Sequence, residues 1–450
     1  MDSMSGPHKP PTILVMIGVT GDLSKRKLLP AIERLAAAGE LPEQFHIIGI
    51  TRRNISRQNV IDALPAHLSQ GYPYIDKHLD ILQMDLLKLD EYQKLAAQLQ
   101  AAEKRLGAQA QRLFYLSVPP QASQPVIELL GQAGLNKGPG VKLLIEKPFG
   151  SDLASAQDLF KHIARYFDTS QVYLIDHYLA KEMAQNVLFF REGNSLFKNT
   201  WNKDFIESIE IMAAEQIGIE GRVTFYEQTG ALRDVLQSHL LQLTALTLMD
   251  LPSEERHVQQ QRLAAIEALQ PPELKTLTRG QYNGYGQEVQ NPKSKTETFV
   301  SLTLSSSAKQ WQGVPITLTT GKGLNSKHTE IRLRYRKDSA REVNELCLCF
   351  EPREGIEMLL WSKQPGYESG LERMVLHANY GTDDDALAEA HEQVIYDAIR
   401  SNHTLFTSPE EVLAAWRLLA PVQAAWAKHS DDVIRYDRGS TPEGILSQKP

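Results

Sequence analysis

Residues 13–23 read ILVMIGVTGDL: an apolar run enters Gly18, two residues intervene, and Gly21 opens a Lys-rich stretch with helical spacing. Glycines in such a strand-to-helix turn let the backbone approach a pyrophosphate. The helix N-terminus then offers it free N–H groups and a positive dipole. The pattern lacks the full G-x-G-x-x-G, so by itself it leaves a dinucleotide site and an ordinary α/β turn equally open.

Outward from this turn, strand and helix alternate to about residue 175. Strands are expected at 13–18, 46–50, 79–84, 113–118, 142–146 and 172–175, with helices at 25–38, 121–133 and 153–166. That alternation predicts an α/β Rossmann-like domain with a parallel sheet over residues 11–175, behind a flexible polar leader at 1–10. After residue 200 strands follow one another, at 206–213, 298–305, 314–320, 330–336, 345–350 and 356–361. Helices interrupt them at 230–249, 386–400 and 409–416. The expectation for 176–450 is an α+β domain with a large, mainly antiparallel sheet and an irregular tail from 436.

Composition narrows the function classes. Across 450 residues, 48 Lys and Arg face 55 Asp and Glu, a net charge of −7, which argues against nucleic acid or an anionic membrane as the main partner. No apolar stretch approaches the ~20 residues that span a bilayer, and no signal-peptide core opens the chain. The expectation is a cytoplasmic protein. Cys347 and Cys349 are the two cysteines. They read as core residues of a reduced compartment, with no nearby His in the sequence to complete a metal site.

The strand at 46–50 is followed by Thr51, Arg52 and Arg53, where an NAD enzyme usually carries a carboxylate for the ribose 2′-hydroxyl. Two guanidiniums suit a 2′-phosphate, which favours NADP, with NAD as the weaker alternative. Surface arginines are more often simply solvated, and the position after strand two is what lifts these above that reading.

Lys147, in IEKPFG at 145–150, falls at a strand end, where ligands of open α/β sheets collect. Another strand delivers Asp176, His177 and Tyr178 at its end, with Lys181 a turn beyond. Imidazole, phenol and ammonium so close together make an anion clamp, and the carboxylate is left to orient another group. In GALRDVLQSHLL at 230–241, Asp234 and His239 are five residues apart, about 140° around a regular helix, so His239 needs a carboxylate from elsewhere. A histidine is the natural base for an alcohol proton as hydride departs. Arg332, Arg334 and Arg336 share one strand face and read as a solvated sheet surface.

GVTGDLSKRKLLP, IEKPFG, DHYLAKE, WNKD, EGR at 220–222 and RDVLQSHLLQ, in that order, resemble the glucose-6-phosphate dehydrogenase family. WQGVPITLTTGKGLN from Trp311, TETF from Thr296, YDAIRSN from Tyr396 and AAWRLLAPVQAAW from Ala414 agree with it. The resemblance covers most of residues 12–440. It implies oxidation of β-D-glucose 6-phosphate at C1 to 6-phosphogluconolactone, the first oxidative step of the pentose phosphate pathway.

The resemblance implies that His239 is the general base, Asp176 the carboxylate that orients it, and Lys147 the lysine between sugar and cofactor. His177, Tyr178 and Lys181 match a phosphate clamp. Glu215 and Asp234 match positions that bind sugar hydroxyls, and Lys322 and Lys327 match basic residues closing over the substrate. The cofactor set is Gly18, Thr20, Gly21, Asp22, Leu23, Arg52 and Lys147. No metal is required. A homodimer through the exposed face of the large sheet is expected, with pairing of dimers into a tetramer open.

Two alternatives stay open: a paralogue for another hexose 6-phosphate, suggested by departures from the family pattern, and a non-catalytic sugar-phosphate or NADP binder of the same fold. Ala180 replaces the usual glycine of DHYLGKE, Lys327 stands where arginine is commoner, and the 280–295 loop and the segment after 436 are short. Retention of Lys147, Asp176 and His239 together argues against the non-catalytic alternative.

Overall fold

In a computed structural model the described residues are 9–66, 71–107, 109–138, 140–252, 254, 257–337, 343–380, 388–428 and 432–449. Most of the expected leader lies outside them. They divide into two compact units, the first bounded as Met1–Gly150, Ala154–Ala180 and Ala388–Pro409, the second as Ser151–Leu153, Lys181–Leu387 and Glu410–Pro450.

Among the described residues the first unit holds a seven-stranded sheet in the order Phe406–Thr407, Val172–Ile175, Val141–Glu146, Gln111–Leu116, Thr12–Ile17, Phe45–Thr51, Leu79–Gln83. The last six are parallel, and Phe406–Thr407 runs antiparallel at the edge. Thr12–Ile17 is buried along its whole length, as a central strand covered on both faces must be.

The chain returns to this unit from far along the sequence, although all of 176–450 was expected in the second domain. Helix Ala390–Arg400 packs Val394, Ile395, Ala398 and Ile399 into the same apolar cluster as Leu29, Ile32 and Leu35 of helix Leu29–Ala37. Lys142 fastens it: its buried ammonium donates to Gln111 Oε1 at 2.7 Å, to the Ile399 carbonyl at 3.3 Å and to the Ala398 carbonyl. A cation at the carbonyl end of a helix meets the negative end of the helix dipole. Burial still pushes the Lys142 pKa down to about 8.

The second unit holds, among the described residues, a ten-stranded sheet. Nine strands follow the order Leu371–Asn379, Gly355–Lys363, Glu345–Glu351, His328–Tyr335, Ile206–Ala214, Ile316–Gly321, Phe299–Ser306, Thr278–Tyr282, Val433–Tyr436, and Leu269–Gln270 pairs with Phe299–Ser306 off this path. Pairing is antiparallel except at Ile206–Ala214 with Ile316–Gly321 and at Thr278–Tyr282 with Val433–Tyr436. The tail departs from the expected irregular stretch. Pro442–Leu446 forms a short helix, with Thr441 accepting the Gly444 N–H and Ile445 buried. Gly439 and Pro442 therefore serve a turn and a helix start.

Candidate active site

In the first unit the Gly18 turn is built tightly. Gly18 has φ +103°, and a Cβ there would lie 2.4 Å from the Ser117 carbonyl oxygen, so no side chain fits. Ser24 Oγ donates to the Gly18 carbonyl at 3.0 Å and lies 2.8 Å from Ser117 Oγ. The helix begins at Asp22 and Leu23, and its turn Ser24–Leu28 is widened, with the Leu29 N–H reaching back five residues to the Ser24 carbonyl. Thr20 Oγ1 lies 3.4 Å from Thr51 Oγ1, which ties the turn to the end of the neighbouring strand. Arg52 and Arg53 follow directly and are exposed. Ser117, which braces the turn from a third strand, was not foreseen, because its contacts join positions far apart in sequence.

Lys147 is half-buried just beyond strand Val141–Glu146. Its neighbour Glu146 accepts the Tyr115 hydroxyl at 2.5 Å and lies 3.6 Å from His391 Nε2. Asp176 is buried at the end of Val172–Ile175, and its Oδ1 accepts the Tyr178 N–H at 3.0 Å. The His177 ring lies 5.1 Å from the Tyr178 ring and stacks at 6.4 Å on His391. Ala180 sits in the apolar cluster of the unit. The left-handed non-glycine positions among the described residues are Glu220, Gln290 and Ser401, so the extra methyl of Ala180 meets no backbone strain.

In the second unit Asp234 and His239 are both buried on the helical stretch Leu232–Leu240. This stretch is widened throughout, the Leu241 N–H bonding the Leu236 carbonyl five residues back. In such a helix residues i and i+5 fall near one side, which corrects the expected divergence of about 140° on a regular helix. Widened turns of this kind are frequent at functional sites. Glu297 anchors the start: its carboxylate accepts the Leu232 N–H at 3.0 Å and lies where a Cβ on Gly230 would have to go, at 2.4 Å. Burial pushes the Glu297 pKa up.

Glu215 and Lys322 each follow directly on a strand, and the parallel register Ala214↔Gly321 brings both to one sheet end. They pair with each other at 2.6 Å, the ammonium lying 5.4 Å from the Tyr226 ring centre. Lys181 and Lys327 meet on one carboxylate the sequence reading had missed: Glu351 Oε1 lies 2.7 Å from the first ammonium and 3.2 Å from the second. Burial pushes the Glu351 carboxyl up, but the two ammoniums outweigh it and hold the group below its ordinary range. Arg332 and Arg334 are bound into ion pairs with Glu330, Glu345 and Glu210 rather than simply solvated.

Two family descriptions match the chain: "Glucose-6-phosphate dehydrogenase, NAD binding domain" over residues 15–186 and "Glucose-6-phosphate dehydrogenase, C-terminal domain" over 188–445. A glucose-6-phosphate 1-dehydrogenase of Chlamydia muridarum is 34% identical over 481 residues, covering 97% of this chain and 95% of that protein. A cytoplasmic isoform from Solanum tuberosum is 32% identical over 435 residues, covering 91% and 85%. A solved glucose-6-phosphate dehydrogenase in complex with its substrate glucose 6-phosphate superposes with a TM-score of 0.91 at 27% identity, covering 99% of each chain.

Proposed function

The chain belongs to the glucose-6-phosphate dehydrogenase family, and from that membership we infer that it oxidises glucose 6-phosphate at C1 to the 1,5-lactone. The observation that carries this reading is the family match across both halves of the chain, 15–186 and 188–445.

The nucleotide partner is NADP. Arg52 and Arg53, exposed beyond strand Phe45–Thr51, offer guanidiniums where an NAD enzyme uses a carboxylate. Gly18, Thr20, Gly21, Asp22 and Leu23 receive the pyrophosphate at the helix start. When bound, a nicotinamide cofactor would supply the acceptor for the C1 hydride.

His239 is the general base for the C1 hydroxyl, and Asp176 fixes its tautomer and stabilises its protonated form. His177, Tyr178, Lys181 and Lys327 hold the 6-phosphate. That dianion supplies binding energy remote from C1, which positions the sugar against the base. Glu215, Asp234 and Lys322 hold sugar hydroxyls, and Lys147 stands between sugar and cofactor.

The protein works in the cytoplasm as a homodimer through its large sheet. Exposed Met374 and Leu376, on one face of strand Leu371–Asn379, support the dimer reading. Among the described residues no helix is long and apolar enough to cross a membrane.

Initial rates on a panel of hexose phosphates, each run with NADP and with NAD, test the assignment. Preference for a different hexose phosphate would transfer the chain to a paralogous activity. Arg52→Ala raises the KM for NADP and leaves that for NAD almost unchanged, whereas equal weakening of both would show that Arg52 does not read the 2′-phosphate.

A further inference from the structure

The antiparallel strands His328–Tyr335 and Glu345–Glu351 pair Glu330 with Cys349 and Arg332 with Cys347, which puts soft and hard ligand groups on one sheet face. Cys347 Sγ lies 2.9 Å from Glu330 Oε2 and 3.4 Å from Cys349 Sγ. His328 Nε2 lies 2.8 Å from the same Glu330 oxygen. The ligand atoms of Glu330, Cys347 and Cys349 all fall within 4.8 Å of one another. The sequence offered no histidine near the cysteines. The fold supplies one from the adjacent strand.

We propose that His328, Glu330, Cys347 and Cys349 form a site for one thiophilic divalent cation of the zinc class. A tetrahedral ion with bonds of about 2.3 Å to sulfur and 2.0–2.1 Å to nitrogen or oxygen has ligand–ligand edges of about 3.3–3.8 Å. The separations of 2.8, 2.9 and 3.4 Å are slightly shorter, and His328 lies outside the mutually close set of Glu330, Cys347 and Cys349, so the ion is admitted by an outward adjustment of these three side chains and an inward turn of the His328 ring. Binding releases the thiol protons of Cys347 and Cys349 to solvent, and no electron transfer is involved.

Charge and surroundings fit the same occupant. Arg332 grips Glu330 through two contacts, at 3.0 and 3.1 Å, and reaches Glu345 at 2.7 Å. Its charge balances that of Glu330, so two thiolates remain to balance a divalent ion. The same guanidinium orients the carboxylate from outside the ligand set. Cys347 and Glu330 are buried, while Cys349 is half-buried and gives the ion a way in. The ion would cross-link two adjacent strands, a structural role independent of hydride transfer.

The full chain, stripped with a chelator and kept reduced with a phosphine, is titrated with Co²⁺ and then with Zn²⁺. The expected result is one equivalent bound, thiolate-to-cobalt charge-transfer absorption, its loss on zinc addition, and a zinc-dependent rise in Tm. Cys349→Ser, the less buried change, weakens binding by at least about 100-fold and abolishes the zinc-dependent rise in Tm. Cys347→Ser and His328→Ala act in the same direction. Absence of charge-transfer absorption in the wild-type chain, or absorption and stoichiometry unchanged in Cys349→Ser, overturns the site.

Discussion

Lys181 Nζ lies 2.7 Å from Glu351 Oε1, so an internal carboxylate already occupies one of the ammoniums assigned to the substrate phosphate. Lys327 shares that carboxylate at 3.2 Å. On the role proposed for these lysines, an incoming phosphate dianion has to displace Glu351 or tolerate its charge. Glu351→Gln keeps the shape and removes the charge. The KM for glucose 6-phosphate is expected to fall by roughly threefold to tenfold, about 1 kcal/mol for one partly exposed pair, with kcat changed little. A KM that stays the same or rises in steady-state assays would place Glu351 outside the phosphate clamp.

His239→Asn removes the proposed base and leaves the proposed phosphate-binding groups in place. Turnover should drop by about 10²–10⁴-fold, while the KM for glucose 6-phosphate moves only a few-fold. Near-normal turnover in the variant would reject the role.

Arg262 and Glu411 form an ion pair that is 1% and 0% exposed, with Nε to Oε1 at 2.8 Å, between helices Val258–Ala268 and Pro409–Lys428. Arg262→Met leaves Glu411 buried without that guanidinium and should cost about 3–5 kcal/mol in denaturant unfolding. Arg262→Met combined with Glu411→Leu should recover most of the loss. If the double variant is no more stable than the single one, the penalty is one of packing rather than charge.

Lys142 gives stability a defined pH dependence. Burial lowers its pKa from 10.5 to about 8 in the folded chain. Between these values the unfolded chain binds more protons, so this group's contribution to stability rises with pH across the window, by up to about 3 kcal/mol. Below pH 8 both states carry the charge and the penalty is constant. Urea unfolding of the wild type and of Lys142→Met at several pH values should show their difference moving in favour of the wild type above pH 8. A difference that stays flat would mean the lysine charge is not penalised.

The parallel strands of the first unit were readable because each is a short apolar run, and Gly18 was readable because its turn tolerates no side chain. Helix Leu89–Leu106 was passed over although Tyr92, Leu95, Leu99 and Ala102 form its buried stripe. Strand Leu371–Asn379 left no alternating signal because nearly all of it is exposed. Among candidate site residues, those in contiguous strings such as DHYLAKE could be proposed from the sequence. Glu351, Glu297 and Ser117 were not, since each acts on a group distant in sequence and carries no local pattern. The widening of Leu232–Leu240 was hidden for another reason: its side-chain spacing also fits an ordinary helix.

The return of Ala388–Pro409 to the first sheet bears on how the polypeptide is made. On the ribosome, the parallel strands emerge well before the edge strand Phe406–Thr407 and the two carbonyls that receive Lys142. The first sheet is thus completed only after most strands of the second unit have been made, and a premature stop before Ala388 would damage the nucleotide half as surely as the half it interrupts.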